Sequence, residues 1–257
     1  MIPTPVGQTS KGRLSFTVGA IPVTIHWSVL VIVAFLAGQI GMTGAIWWAT
    51  GFLVAILLHE LGHAVLATRF GARDVRISMM VFGGATTFLP GEMSHGRRFL
   101  ISGAGSAVGI VVAGPLHWAM VTGAISIPSG DLRFLISGFV LSAFFWGLFN
   151  WVPMLPLDGG YMTFHALALR VDPAKAYAVA RGISVVAVVA TVYAARVLLP
   201  GAQTIQIFIM IIAIQGILAP NPYRRMRSPQ PLIEAPPDGR SESSDTSDET
   251  SSGWPEP

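Results

Sequence analysis

The chain has 257 residues, of which 52% are hydrophobic and 11% charged, and its mean hydropathy is +0.62. An ordinary soluble domain carries roughly 25% charged residues, so this composition excludes a soluble globular enzyme. The formal net charge is +3, and the sequence contains no cysteine. Disulfides, thiolate metal sites and cysteine nucleophiles are therefore excluded, and a metal ion would have to be bound by histidine and carboxylate side chains.

Six apolar stretches are candidates for membrane spans, because about 20 apolar residues in a helix cross a hydrocarbon core of roughly 30 Å. They are residues 23–40, 45–67, 99–125, 134–154, 179–199 and 202–219. The first is not followed by a cleavage site and a soluble chain, as a signal peptide would be. The sequence therefore predicts an all-α polytopic membrane protein with about six transmembrane helices.

Lysine and arginine lie on alternate connections between these stretches. Thirteen of them lie before the first stretch, after the second, fourth or sixth, or at the start of the fifth (Arg181), whereas Arg133 follows the third stretch and Arg196 lies near the end of the fifth. Cytoplasmic connections collect basic residues, so we expect a multi-pass protein of the cell membrane with both termini in the cytoplasm. Bases that flank apolar runs favour a lipid bilayer rather than nucleic acid as the partner.

The connection at residues 71–98 contains an apolar stretch, residues 75–88, that is rich in β-forming side chains. Gly83 and Gly84 near its middle favour a turn, so we expect a small β-hairpin between the second and third spans. A non-helical segment inside a membrane must line a cavity or be covered by protein. We expect the hairpin to be re-entrant; the alternative is an ordinary cytoplasmic loop.

The composition divides the chain into three parts. Residues 1–18 are expected to form a cytoplasmic N-terminal segment, and residues 19–222 the membrane core. Residues 223–257 begin with a basic juxtamembrane stretch and continue, from Ser228 onward, with seven acids against the single base Arg240. Such a tail contains too few large apolar residues to fold by itself, so we expect it to be disordered.

An H-E-x-x-H motif lies at residues 59–63, inside the second predicted span. On a helix, positions i and i+4 share one face, so His59 and His63 can bind a single zinc ion. Glu60 is rotated by about 100° from His59 and can border the same site. There it can accept a proton from the attacking water and pass it to a leaving amine.

A catalytic zinc site usually has three protein ligands and one open position. Asp158 is the best candidate for the third ligand, because it lies at a depth similar to that of His59 if both stretches are helical. Pro153, Pro156 and the glycines at 159 and 160 should unwind the helix there and let the carboxylate turn toward the metal. The alternative is that Asp158 only caps the helix that follows.

At this point the sequence resembles the site-2 protease family of intramembrane zinc metalloproteases. The resemblance rests on H-E-L-G-H at residues 59–63 and on N-x-x-P-x-x-P-L-D-G at residues 150–159. Two weaker similarities support it: Phe82-Gly83-Gly84 is like the family's glycine-bearing re-entrant hairpin, and residues 19–27 are like its entry into the first span. Residues 19–219 are covered, without space for an inserted PDZ domain or a nucleotide-binding CBS pair.

The resemblance implies one zinc ion per chain, bound by His59, His63 and Asp158, with Glu60 as the catalytic acid and base. It also implies that Asn150 holds the substrate backbone or the developing oxyanion, although Asn150 could equally form a helix-to-helix hydrogen bond. The expected function is zinc-dependent endoproteolysis in or near the transmembrane segment of a membrane protein, within regulated intramembrane proteolysis.

Two other functions are compatible with H-E-x-x-H on a membrane helix. A prenyl-protein peptidase carries the same motif but takes a glutamate as third ligand, and the predicted spans contain no spare glutamate. A membrane adaptor or transporter could use the histidines for a structural metal ion. Glu60 argues against this alternative, because a structural site has no need of a base.

Overall fold

The computed structural model of the chain describes residues 12–81, 83–198 and 214. Helices dominate it, together with one four-stranded sheet. The strands are β1 (Arg13–Val18), β2 (Ile21–His26), β3 (Arg73–Met80) and β4 (Gly83–Leu89). The helices are α1 (Leu30–Arg69), α2 (His95–Val121), α3 (Asp131–Val140), α4 (Trp146–Asn150), α5 (Asp158–Leu167) and α6 (Pro173–Leu198).

Helix α1 contains most of the first predicted span and all of the second. It has 40 residues and is interrupted at Gly41, whose φ of 75° and ψ of 161° are not helical. A positive φ is accessible to glycine at little cost, which explains why the interruption falls at this residue. The second half of α1, residues 42–69, carries the H-E-x-x-H motif and is about 42 Å long.

The first predicted span, residues 23–40, begins too early. Its first residues belong to β2, and the chain becomes helical through a short 3-10 turn at Trp27–Val29. The side chain of His26 caps this turn, because its Nδ1 accepts a hydrogen bond from Ser28 N over 3.2 Å. Val23, Thr24 and Ile25 are β-branched, which favours a strand over a helix where a neighbouring strand is available for pairing.

The sheet has the order β1-β2-β3-β4. β1 and β2 are antiparallel, β2 and β3 are parallel with Val23 opposite Ile77, and β3 and β4 form an antiparallel hairpin with Met79 opposite Gly84. The prediction of an all-α protein with one small hairpin is therefore corrected: the hairpin is half of a larger sheet. Strand β1 lies within residues 1–18 and pairs with a strand of the core.

One face of the sheet packs against the second half of α1. Val23, Ile77 and Met79 are buried in one apolar cluster with Ile56 and Ala64 of the helix. Because Ile56 and Ala64 flank the H-E-x-x-H motif, this packing places the sheet beside the motif.

The fourth predicted span is helical up to Asn150 and is then interrupted. α3 continues through a π-helical stretch, Leu141–Phe145, into α4, and helix resumes at Asp158. A Cβ atom at Gly159 would overlap the backbone of Trp151, and one at Gly160 would overlap the backbone of Leu155. The two glycines therefore allow the connecting loop to fold tightly against the start of α5.

Four helical segments of the described residues are long and apolar enough to cross a membrane. They are Trp27–Arg69, His95–Val121, Asp131–Asn150 and Pro173–Val197. The chain is therefore a mostly helical polytopic membrane protein with a small sheet. Apart from Ile214, the predicted sixth span at residues 202–219 lies outside the described residues, as does the tail at residues 223–257.

Candidate metal centre

The two histidines of the H-E-x-x-H motif point to a common position. His59 and His63 are one turn apart on α1, and their Nε2 atoms are separated by 3.1 Å. Their rings meet edge to face, and the two residues are only 8% and 7% exposed. Two buried imidazole nitrogens at this separation either share one proton or bind one cation.

Asp158 meets the two histidines from α5. Its Oδ2 atom lies 3.2 Å from His59 Nε2 and 3.3 Å from His63 Nε2. The N-cap of α5 is Leu157, and Asp158 is the first helical residue. Its carboxylate is therefore directed at the histidines, and capping of α5 does not account for its position.

The three side chains fit a zinc ion. Zinc binds nitrogen and oxygen ligands at about 2.0–2.1 Å in a tetrahedral arrangement, which separates neighbouring ligand atoms by about 3.3 Å. The three observed separations, 3.1, 3.2 and 3.3 Å, match one face of such a tetrahedron. His59, His63 and Asp158 can therefore hold a metal ion with one coordination position left open.

Helix α2 completes the surroundings of these side chains. His63 Nδ1 lies 2.6 Å from the carbonyl oxygen of Ile101; with the proton on Nδ1, that nitrogen donates to the carbonyl and leaves the Nε2 lone pair free for a metal. Ser106, which is fully buried, donates a hydrogen bond from Oγ to Asp158 Oδ2 over 3.0 Å. A Cβ atom at Gly105 would overlap the imidazole of His63, so this position needs a glycine.

Sequence reasoning missed these contributions of α2. The glycines at 103, 105 and 109 in the third predicted span indicate that another helix approaches closely, but not which helix. Ser106 has no motif of its own, and its role becomes apparent once α2 is placed between α1 and α5.

Glu60 lies beside the three potential ligands and is covered by the sheet. It is 5% exposed, and its Oε2 accepts a hydrogen bond from Thr86 Oγ1 on β4 over 2.6 Å. Gly84 of the same strand is so close that a Cβ atom there would overlap the carboxylate, including Oε1. The hairpin therefore holds the glutamate in place from the side of the sheet.

Asn150 is the one predicted site residue that the structure does not bring into this group. It is the last residue of α4 and is 6% exposed. Its side chain makes no hydrogen bond to another residue of the described part of the chain. A buried amide is costly unless it is hydrogen-bonded, so a water molecule or a substrate can complete the hydrogen bonding of Asn150.

Sequence comparisons find zinc metalloproteases. No protein-family model matches the chain. Rip3 of Mycobacterium tuberculosis, a candidate zinc metalloprotease by name, is 33% identical over 54% of this chain. The zinc metalloprotease MJ0392 of Methanocaldococcus jannaschii is 25% identical over 77% of it, and the stage IV sporulation protein FB of Bacillus subtilis 31% identical over 49%. The chain spans 39%, 56% and 42% of these relatives, respectively.

A solved structure shows the same fold. The site-2 protease from Methanocaldococcus jannaschii superimposes with a TM-score of 0.54 at 20% sequence identity, over 81% of this chain and 96% of that one. Together with the two sequence motifs and the sequence relatives, this similarity confirms the resemblance of the chain to the site-2 protease family of intramembrane zinc metalloproteases.

Proposed function

We propose that this chain is a zinc-dependent intramembrane endopeptidase. It hydrolyses a peptide bond in or near the transmembrane segment of a membrane protein and acts in regulated intramembrane proteolysis. The observation that carries the proposal is the convergence of His59, His63 and Asp158 on one position, with the carboxylate of Glu60 beside it. A purely structural metal ion would have no use for that carboxylate.

His59, His63 and Asp158 would hold one zinc ion per chain. Bound zinc supplies a nucleophile at neutral pH and polarises the carbonyl group under attack. Ile101 and Ser106 keep the ligands in their binding orientation through hydrogen bonds to His63 Nδ1 and Asp158 Oδ2. Side chains that are oriented in advance lose little conformational entropy when the ion binds.

Glu60 would move the proton. It accepts a proton from the attacking water and donates it to the leaving amine nitrogen when the peptide bond breaks. Thr86 donates a hydrogen bond to Oε2, which fixes the orientation of the carboxylate for the transfer. Asn150 would position the substrate backbone or stabilise the developing oxyanion, a role supported by its buried, unpartnered amide.

The substrate would bind as an extended strand against β4. A transmembrane helix satisfies its backbone internally, so the substrate must unwind before cleavage. β4 is the last strand in the order β1-β2-β3-β4, and its outer edge can accept a further strand by β-augmentation. Because Thr86 and Gly84 of β4 contact Glu60, a peptide paired there lies close to the proposed base.

We further propose six spans, with both termini and residues 71–98 in the cytoplasm, and a re-entrant hairpin. The alternation of basic residues supports the orientation. The packing of the sheet against Ile56 and Ala64, both more than one turn inside α1, supports placing the hairpin within the membrane. In this arrangement the core extends from β1 to about residue 222, and residues 223–257 are a cytoplasmic tail.

The direct test is purification in detergent, measurement of bound metal, and incubation with a panel of single-span membrane proteins. We expect one zinc ion per chain and cleavage of at least one substrate near its transmembrane segment. Glu60→Gln is the matched control, because it keeps the size of the side chain and removes the base. Stoichiometric zinc without cleavage of any substrate by the wild type would instead favour the adaptor or transporter alternative.

A further inference from the structure

An apolar groove lies between α1 and α2, and Trp151, which follows α4, and Met162 of α5 also line it. Its volume is about 680 Å³, within the range of small-molecule binding sites. Leucine, valine, phenylalanine, alanine and glycine dominate the lining, and Arg69 is the one charged residue in it. Representative lining residues are Leu58, Val65, Leu66, Phe99, Ala107 and Val108.

The floor of the groove is closed toward the metal centre. α1 and α2 approach so closely at Gly62 that a Cβ atom there would lie 2.8 Å from the carbonyl oxygen of Ala104 and 2.9 Å from Gly105 Cα. This backbone contact closes the space between the two helices at the level of Gly62. An occupant of the groove therefore lies behind the metal centre and does not reach it.

The groove also faces away from the proposed base. Leu58, Val65 and Arg69 share one face of α1, because seven and eleven residues are close to two and three helical turns. Glu60 is rotated by about 160° from Leu58 around the helix axis. A peptide in the groove could not present its scissile bond to Glu60, so the occupant is not the segment being cleaved.

The length and charge of the groove match one leaflet of a bilayer. From Leu58 to Arg69 the helix rises by about 17 Å, and half of the hydrocarbon core is about 15 Å thick. Arg69 lies in the last turn of α1, is exposed, and makes no ion pair with another residue of the described ranges. Its guanidinium group is therefore available at the level where lipid phosphates lie.

From these observations we infer that the groove binds an acidic phospholipid. One acyl chain lies along the small residues between α1 and α2, and the phosphate group pairs with Arg69. The bound lipid fills the space behind the metal-binding helix and fixes the position of α1 against α2. It is a structural ligand of the fold and is not the substrate of the proposed protease.

Lipid retention in nanodiscs and detergent tests this inference. The full chain is reconstituted in bilayers of one part phosphatidylglycerol to four parts phosphatidylcholine, extracted into mild detergent, and analysed by native mass spectrometry. We expect one phosphatidylglycerol molecule to remain bound to the wild type. Arg69→Gln should reduce its retention relative to phosphatidylcholine by about fivefold. Arg73→Gln is the matched control, because it removes an exposed arginine that does not line the groove.

A bulky side chain in the groove should displace the acyl chain. Ala107→Trp on α2 and Val65→Trp on α1 are each expected to abolish retention of both lipids. If one variant does not fold, the other still tests the inference. Zinc content is measured in parallel and should stay at the wild-type value. Retention that is unchanged in Arg69→Gln and in a folded tryptophan variant would overturn the inference, whatever the outcome for proteolysis.

Discussion

Thr86 Oγ1 donates a hydrogen bond to Glu60 Oε2 over 2.6 Å and lies 3.1 Å from the backbone carbonyl oxygen of the same residue. One hydroxyl group thus connects the edge strand of the sheet to the helix that carries the metal motif. If β4 receives the substrate, the position of the substrate and the position of the base are set by the same contact.

This contact predicts the effect of changing Thr86. Thr86→Val keeps the shape of the side chain and removes the hydrogen bond, so kcat/KM should fall by about 10-fold while zinc remains bound. Thr86→Ser keeps the hydroxyl group and should recover most of the activity. Equal activity of the valine and serine variants would show that the hydrogen bond does not position Glu60.

The second prediction isolates proton transfer. Glu60→Gln should retain stoichiometric zinc, because Glu60 is not among the three residues that converge on the metal position. Turnover should fall by roughly 100-fold or more. Metal analysis and cleavage of a single-span substrate measure the two properties on one preparation, and full activity of this variant would exclude hydrolysis at this site.

The third prediction concerns the ligands. His59→Ala, His63→Ala and Asp158→Ala each leave two side chains to hold the ion, so each variant should lose most of its zinc to a chelator and, with it, its activity. Ser106→Ala is an informative comparison, because it removes the hydrogen bond to Asp158 and leaves all three ligands. It should weaken zinc binding by about 10- to 100-fold. Stoichiometric zinc in Asp158→Ala would show that the third ligand is wrong.

The fourth prediction tests Asn150. If its amide stabilises the oxyanion, Asn150→Ala should keep its zinc and lose rate by about 10- to 1000-fold. Because the side chain is buried, thermal unfolding of the variant should be measured beside its kinetics. A normal rate together with a changed melting temperature would assign Asn150 to helix packing.

The fifth prediction concerns topology and uses the absence of native cysteine. Ser94 and Ser129 are both exposed; Ser94 is the N-cap of α2 and Ser129 lies in the connection between α2 and α3, so they are at opposite ends of α2. A single cysteine at Ser129 should react with an impermeant reagent added outside intact cells, and one at Ser94 should not. Strong labelling at Ser94 would contradict the proposed orientation.

The sequence is most informative where the spacing of a few residues is compatible with only one local structure. Two histidines at i and i+4 must share a helix face, and without cysteine few side chains could join them as ligands. The β-forming residues around Gly83 and Gly84 likewise favoured a hairpin, and the structure has two antiparallel strands there.

The features that could not be predicted depend on contacts between segments that are far apart in the sequence. Residues 23–25 continue an apolar run into α1, so a hydropathy window assigns them to the helix, and their strand becomes evident only beside Ile77. The same holds for Ser106 and the carbonyl of Ile101, whose contacts with Asp158 and His63 join segments far apart in the chain. No local pattern encodes such contacts.

The parallel pairing of β2 with β3 has a consequence for biogenesis. β1 and β2 can form their hairpin as soon as they leave the ribosome. The other edge of β2 pairs with β3, with Val23 opposite Ile77, and β3 is synthesised only after all of α1. Unpaired backbone groups are not tolerated in hydrocarbon, so that edge must stay hydrated in the meantime. Completion of the sheet therefore follows insertion of α1, and arrested translation products that end before β3 should carry an N-terminal hairpin accessible to protease.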